Sequence, residues 1–133
     1  MDCELCRQDG GELLFKDDFL RVIAVDDLHY PGFCRVILNR HAAEMTDLTP
    51  TEQQRLMSAV FAVERVLRQC CAPDKINLAS FGNMVPHVHW HVIPRWRDDR
   101  TFPNPLWGEA MRLGTQRPAM DWPTLSAHLA ARL

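Results

Sequence analysis

Residues 87–95 read His87-Val88-His89-Trp90-His91-Val92-Ile93-Pro94-Arg95, so histidine and bulky apolar side chains alternate. In a β-strand, successive side chains point to opposite faces. The pattern therefore sorts into His87, His89 and His91 on one face and Val88, Trp90 and Val92 on the other. The apolar set needs a core to cover it, and the histidine set lines a groove or binds something. The chain has six histidines, so half of them are committed to this one face. Imidazole titrates near neutrality and serves as nucleophile, general acid or metal ligand, which makes three on a rigid strand a place for chemistry. The competing readings are a solvated polar face and a zinc site built from these three alone.

The rest of the chain supplies a sheet and a helix to carry that strand. Glu12 to Lys16 and Leu20 to Val25 are short apolar runs on either side of the turn-like Asp17-Asp18, which predicts a hairpin. Asp26 through Gly32 reads as a loop and Cys34 to Leu38 as a third strand. The connections are too short for a crossover helix, so these strands run antiparallel. Thr49-Pro50-Thr51-Glu52 offers an N-cap hydroxyl, a proline at the first helical position and a glutamate three residues after the cap, a capping box. Leu56, Val60, Val63 and Leu67 then recur on one face, predicting a helix that runs to about Cys70 and lies on the sheet. Lys75 to Phe81 begins a fourth strand, and a turn at Gly82-Asn83 leads into the histidine strand. The order predicts an α+β fold, a largely antiparallel five-stranded sheet with one main helix packed on it. After Arg95, Pro103, Pro105, Pro118 and Pro123 predict irregular chain, with a terminal helix from Pro123 to Arg132 capped near Asp121. This extension is expected to cover the site or a partner subunit.

With 133 residues the chain fits a single domain, 1–133, with a core at 3–95 and an extension at 96–133. A formal net charge of −2 gives no basic footprint, so no nucleic-acid interface is expected, although a single nucleotide can still bind. No apolar run approaches the roughly 20 residues that span a bilayer and no signal-peptide pattern opens the sequence, so the expected location is the cytoplasm, with no membrane partner. Five cysteines, an odd number, read as thiols or metal ligands in a reducing compartment rather than as a disulfide framework. Cys3-Glu4-Leu5-Cys6 supplies half of a tetrahedral zinc site, with free thiols and a redox pair as alternatives. Cys34, Cys70 and Cys71 read as buried small apolar residues.

His87 to Ile93 resembles the signature of the histidine triad (HIT) family, His-φ-His-φ-His-φ-φ with φ apolar, and the following Pro94-Arg95 is usual there. Upstream, Val25-Asp26-Asp27, Pro31-Gly32, Val36-Ile37-Leu38-Asn39-Arg40-His41, Thr46-Asp47-Leu48-Thr49 and Asn77 through Gly82 look like the family's order of elements, so about residues 3 to 95 are covered. The resemblance implies a HIT-like fold and a hydrolase acting on the α-phosphate of nucleoside 5′-phosphoryl compounds, of the diadenosine polyphosphate or adenosine phosphoramidate type. It implies that His89 attacks phosphorus to give a nucleotidyl-histidine, that His91 sits beside the phosphoryl oxygens, that His87 orients the set and that His41 faces it. The chemistry is sound in itself, since a neutral imidazole is a capable nucleophile and splitting one displacement into two lowers each barrier. No catalytic metal is required by it.

For the nucleoside, the resemblance implies a ribose clamp at Asp26, or at Asp27 if the loop is shifted, and further contacts from Asn77 and Asn83. Gly82-Asn83-Met84 departs from the Gly-Gln-Ser or Gly-Gln-Thr common in the family, so leaving-group preference does not carry over. Phe33 likewise stands where a histidine or similar polar residue is usual after Pro-Gly. Some bacterial members and their uridylyltransferase relatives look similar at the N-terminal cysteine pair, which implies a structural zinc on Cys3, Cys6, His41 and His87. A purine nucleotide substrate and a homodimer are implied in the same way. His29 and His128 have no motif support and read as surface residues, and Trp107 with its neighbours is a candidate for shaping one end of the groove. Two alternatives stay open: nucleotidyl transfer to a second acceptor, and a nucleotide-binding or zinc-stabilised interaction module without significant turnover.

Overall fold

The computed structural model describes residues 2–133; Met1, where the expected domain begins, lies outside them. The β-branched runs form strands as expected: β1 (Glu12–Lys16), β2 (Leu20–Ala24) and β3 (Cys34–Leu38). The β1–β2 turn is tied by Asp17, whose carboxylate accepts the backbone N–H groups of Phe19 and Leu20 at 2.8 Å each. A short helix, α1 (Glu4–Arg7), precedes them, and the main helix, α2 (Pro50–Cys71), follows. The reciprocal capping box at the start of α2 is present, with Glu52 N–H donating to Thr49 Oγ1 at 3.2 Å and Thr49 N–H to Glu52 Oε1 at 2.9 Å.

Beyond α2 come β4 (Lys75–Ala79), β5 (His89–Arg95) and a C-terminal helix, α3 (Trp122–Arg132), capped by Asp121. The five strands make one antiparallel sheet in the order β1-β2-β3-β5-β4. Its central pair, β3 and β5, sets Arg35 opposite His91 and Ile37 opposite His89.

The sheet has two unlike faces. Cys34, Val36 and Leu38 of β3 and Val92 of β5 pack against Leu56, Val60, Val63 and Leu67 of α2, all fully buried. Val88 and Trp90 join this cluster, as the alternation requires. The extension enters the same core through Leu125 and Leu129 of α3, which packs on α2 and β1. The opposite face carries His89 and His91.

Three local expectations are corrected. The β4–β5 connection is not a tight turn at Gly82-Asn83: β4 stops at Ala79 and residues 80–88 form a long loop. Consequently His87 lies before the strand rather than in it. Pro86 has no N–H to give to a ladder, and His87 N–H turns back to Val85 O at 2.8 Å, which swings the His87 ring out of the strand's alternation. Cys70 is exposed and Cys71 half-buried, packed at the margin of the core; Cys34 alone of the three is fully buried.

Candidate active site

His89 and His91 project from β5 into a cleft of about 480 Å³ walled by Arg35, Phe81, Asn83, Met84 and Trp107. Their ring centroids are 5.1 Å apart. The Nδ1 of His89 lies 2.6 Å from the carbonyl oxygen of His87. A carbonyl can only accept, so Nδ1 carries the proton and the neutral ring's Nε2 is left with its lone pair. The kink at His87 that breaks the strand thus also orients its neighbour.

His91 is buried, and its Nδ1 accepts a hydrogen bond from Arg35 Nε at 3.1 Å. Burial pushes the His91 pKa down to about 4, helped by the charge of Arg35 and by His89, so this ring is neutral near neutral pH. Trp107, carried by the extension, stands with its ring 4.9 Å from that of His91, while Phe81 and Phe33 flank the same imidazole at 6.2 and 5.8 Å. The extension therefore does wall the groove. Arg35 is the participant that sequence reasoning missed.

His87 belongs to a different cluster. Its Nδ1 faces Cys3 Sγ at 3.4 Å and Cys6 Sγ at 3.5 Å, and Cys6 Sγ lies 3.4 Å from His41 Nδ1. The donor atoms of Cys3, Cys6, His41 and His87 all lie within 4.8 Å of one another. Zinc–sulfur and zinc–nitrogen bonds of the usual length give a tetrahedral S···N edge of about 3.5 Å, so the spacing fits a four-coordinate ion. Moreover, His87 Nε2–H donates to Leu38 O at 2.6 Å, which fixes the tautomer that leaves Nδ1 free to bind. Among the described residues, His87, His89 and His91 do not converge as a common donor set, which removes the zinc site built from the triad alone.

The nucleotide-contact candidates are scattered. Asn83 lines the histidine cleft, and Met84 beside it is 94% exposed. Asp26 is exposed on a second cleft, which Arg35 shares. Asp27 is engaged in the loop instead, its carboxylate accepting the His29 N–H at 3.0 Å. Asn77 accepts from Arg95 Nη1 at 2.8 Å and so supports the strand end. His29 and His128 are exposed, with His29 Nε2 3.3 Å from Arg100 Nη1.

An antiparallel sheet that holds paired histidines over an open cleft, with a helix behind it, defines a histidine-based site on an α+β fold. Residues 7–98 match the HIT domain, and the chain belongs to that family. Among solved structures, a histidine triad protein from Bradyrhizobium japonicum superposes with a TM-score of 0.75 at 28% identity, covering 93% of this chain and 91% of that one. Among named relatives, an AP-4-A phosphorylase from Mycobacterium tuberculosis is 32% identical over 78 residues, 54% of this chain and 40% of the relative. A bis(5′-nucleosyl)-tetraphosphatase (asymmetrical) from Schizosaccharomyces pombe is 35% identical over 74 residues, 52% of this chain and 41% of the relative. The matched stretches thus span about two fifths of these relatives' lengths. Among the described residues, no helix is long and apolar enough to cross a membrane.

Proposed function

We propose that this protein is a nucleotide hydrolase that cleaves at the α-phosphate of an adenosine 5′-phosphoryl compound through a covalent intermediate on His89. The observation that carries the reading is the His89 Nδ1–H bond to the His87 carbonyl, which presents a lone pair at Nε2 to the cleft. In the first step Nε2 attacks the α-phosphorus; an N–P bond forms, the P–O or P–N bond to the leaving group breaks, and its electron pair departs with that group. Water then attacks the same phosphorus, the N–P bond breaks, and AMP and a proton are released. His91 lies beside the reacting centre as a hydrogen-bond donor for the phosphoryl oxygens. Asp26, exposed beside the cleft, is the candidate for the ribose hydroxyls, and Asn83 for the phosphate chain.

The names of the two relatives support an adenosine polyphosphate as substrate. The phosphorylase adds a second reading, in which inorganic phosphate rather than water opens the adduct and the product is ADP. Rapid-quench intact-mass measurement with diadenosine tetraphosphate tests the common step: wild type gains one adenylyl group and His89→Ala gains none. Absence of any adduct together with absence of turnover would replace this reading with that of a nucleotide-binding module. Product analysis with and without phosphate separates hydrolysis from phosphorolysis.

We further infer that Cys3, Cys6, His41 and His87 hold a structural zinc. Bound there, it supplies a cross-link between the N-terminal segment, the end of β3 and the loop before β5, while His89 remains free. Cys3→Ser is expected to lower zinc content and thermal stability together, and loss of a structural metal site of this kind costs a Tm shift of about 10 °C or more. Metal analysis and thermal melts decide it: a wild type that carries no zinc and melts unchanged in chelator has no such site. Chelation below the melting temperature leaves His89 adduct formation intact.

A further inference from the structure

The wall of the histidine cleft holds one arginine that the preceding reading does not use. Arg35 sits on β3 directly across from His91, with its guanidinium 5.4 Å from the centroid of the Phe33 ring and its Nε bonded to His91. It is half-buried, and none of the ion pairs among the described residues involves it. Glu4, on the exposed surface of α1, is the carboxylate whose charge reaches it. Its Nη groups form no hydrogen bond within the chain among the described residues, and the side chain lines both the histidine cleft and the cleft beside Asp26. A cation half out of water, in no direct ion pair among the described residues and on the wall of a cleft, is a ready partner for an oxyanion.

We propose that Arg35 makes this site selective for phosphoanhydrides, substrates whose leaving group is a nucleoside polyphosphate, over phosphoramidates, whose leaving group is an amine. The inference rests on the hydrolase reading above and sharpens its substrate class. Two properties of the same side chain carry it. Arginine Nε always bears a proton, so the His91 nitrogen facing it must be the acceptor; His91 is therefore the neutral Nε2–H tautomer. Such a ring donates a hydrogen bond, but it has no readily released proton to give to a leaving group. A polyphosphate needs none, because it departs as a stable anion with the electron pair of the broken P–O bond. An amine departing from phosphorus does need one, and would have to take it from solvent. The free Nη groups meanwhile belong to a side chain that lines the same cleft as His89, and fixed cationic donors act most strongly where negative charge grows as the P–O bond breaks. The groups facing His91 reinforce the lock: Arg35 from β3, His89 from β5 and the rings of Phe33, Phe81 and Trp107, with no paired carboxylate to draw a second proton onto it.

The test compares kcat/KM for diadenosine tetraphosphate and for adenosine 5′-phosphoramidate in wild type, Arg35→Lys and Arg35→Met. Wild type is expected to favour the anhydride by about 100-fold, and Arg35→Met to bring that ratio below about tenfold, chiefly through kcat on the anhydride. Arg35→Lys, which keeps the charge but not the fork, is expected to fall between them. A wild type that prefers the phosphoramidate, or a ratio that Arg35→Met leaves unchanged, overturns the proposal. Nitrogen-15 NMR of the substrate-free protein reads the lock independently of turnover: His91 is expected as the Nε2–H tautomer in wild type and as a mixture in Arg35→Met. An Nδ1–H His91 in wild type also overturns it, whatever His89 does. No adduct on His89 with either substrate would instead sink the hydrolase reading, leaving the NMR result to decide the Arg35–His91 lock on its own.

Discussion

Replacing His89 by alanine is expected to lower kcat on diadenosine tetraphosphate by about 10,000-fold or more while leaving the affinity for AMP within a few-fold of wild type. The asymmetry follows from position. His89 is oriented by one backbone bond to His87 and, in the proposed reaction, meets the ligand only where the new N–P bond forms, whereas the cleft around it is walled by Arg35, Phe81, Asn83 and Trp107. Removing the ring deletes the nucleophile and little of the wall. Calorimetric titration with AMP beside single-turnover kinetics separates the two quantities. Wild-type turnover in the alanine variant would exclude a nucleotidyl-histidine, and loss of AMP binding equal to loss of turnover would show that His89 holds the ligand rather than attacks it.

The features that sequence reading found are those whose cause is local. Alternation in residues 88–92 is a consequence of the β-pleat and needs no partner, so the assignment of Val88, Trp90 and Val92 to the core and of His89 and His91 to the cleft follows from the order of residues alone. The start of α2 is equally local, because Thr49 and Glu52 cap the same turn that they begin. His87 escaped the strand because of Pro86, one residue upstream, and because Cys3 and Cys6 lie far away in sequence yet adjacent in space. The cysteine and histidine grouping was reachable only through the family resemblance, since no spacing rule connects residue 3 to residue 87.

Arg35 was missed for a related reason. A single arginine in Cys34–Leu38 reads as a strand residue facing water until the β3–β5 register is known, and that register sets it against His91. Its alternation with buried Cys34 and Val36, which face α2, placed it on the histidine face all the same. Asp99 was hidden more thoroughly. In the run Trp96-Arg97-Asp98-Asp99-Arg100 it looks like one more surface charge, yet it is 2% exposed, as is Arg95. Burial of a charged residue is invisible to composition because it is created by the partner.

That pair is where the second large effect is expected. Asp99→Ala should destabilise the protein by about 3–5 kcal/mol, because breaking a buried ion pair leaves the other charge without compensation. Arg95 donates to both carboxylate oxygens of Asp99, at 2.8 and 3.0 Å, and the same carboxylate accepts the N–H groups of Trp96, Thr101 and Phe102. Arg95 in turn reaches Asn77, Thr101 and the Asn104 carbonyl, so the cluster ties the end of β5 to β4 and to the extension that carries Trp107 onto His91. Burial works against ionisation of Asp99, but the Arg95 bond and the backbone N–H groups outweigh it and hold the carboxyl below its ordinary value of 3.8. A depressed folded-state pKa means that the contribution is fully present above the unfolded value and is lost as pH falls through the folded one. Thermal melts at pH 7 and in steps below pH 4 should therefore show a steep acid limb in wild type and a flatter one in Asp99→Asn, whose amide cannot titrate. The full-length drop in Tm for Asp99→Ala is expected at about 10–20 °C, and a drop under about 3 °C would show that Arg95 finds compensation elsewhere. Because the same residues seat Trp107, the variant should also lose activity at temperatures where it is still folded, and a variant of unchanged kcat/KM under those conditions would uncouple the extension from the catalytic cleft.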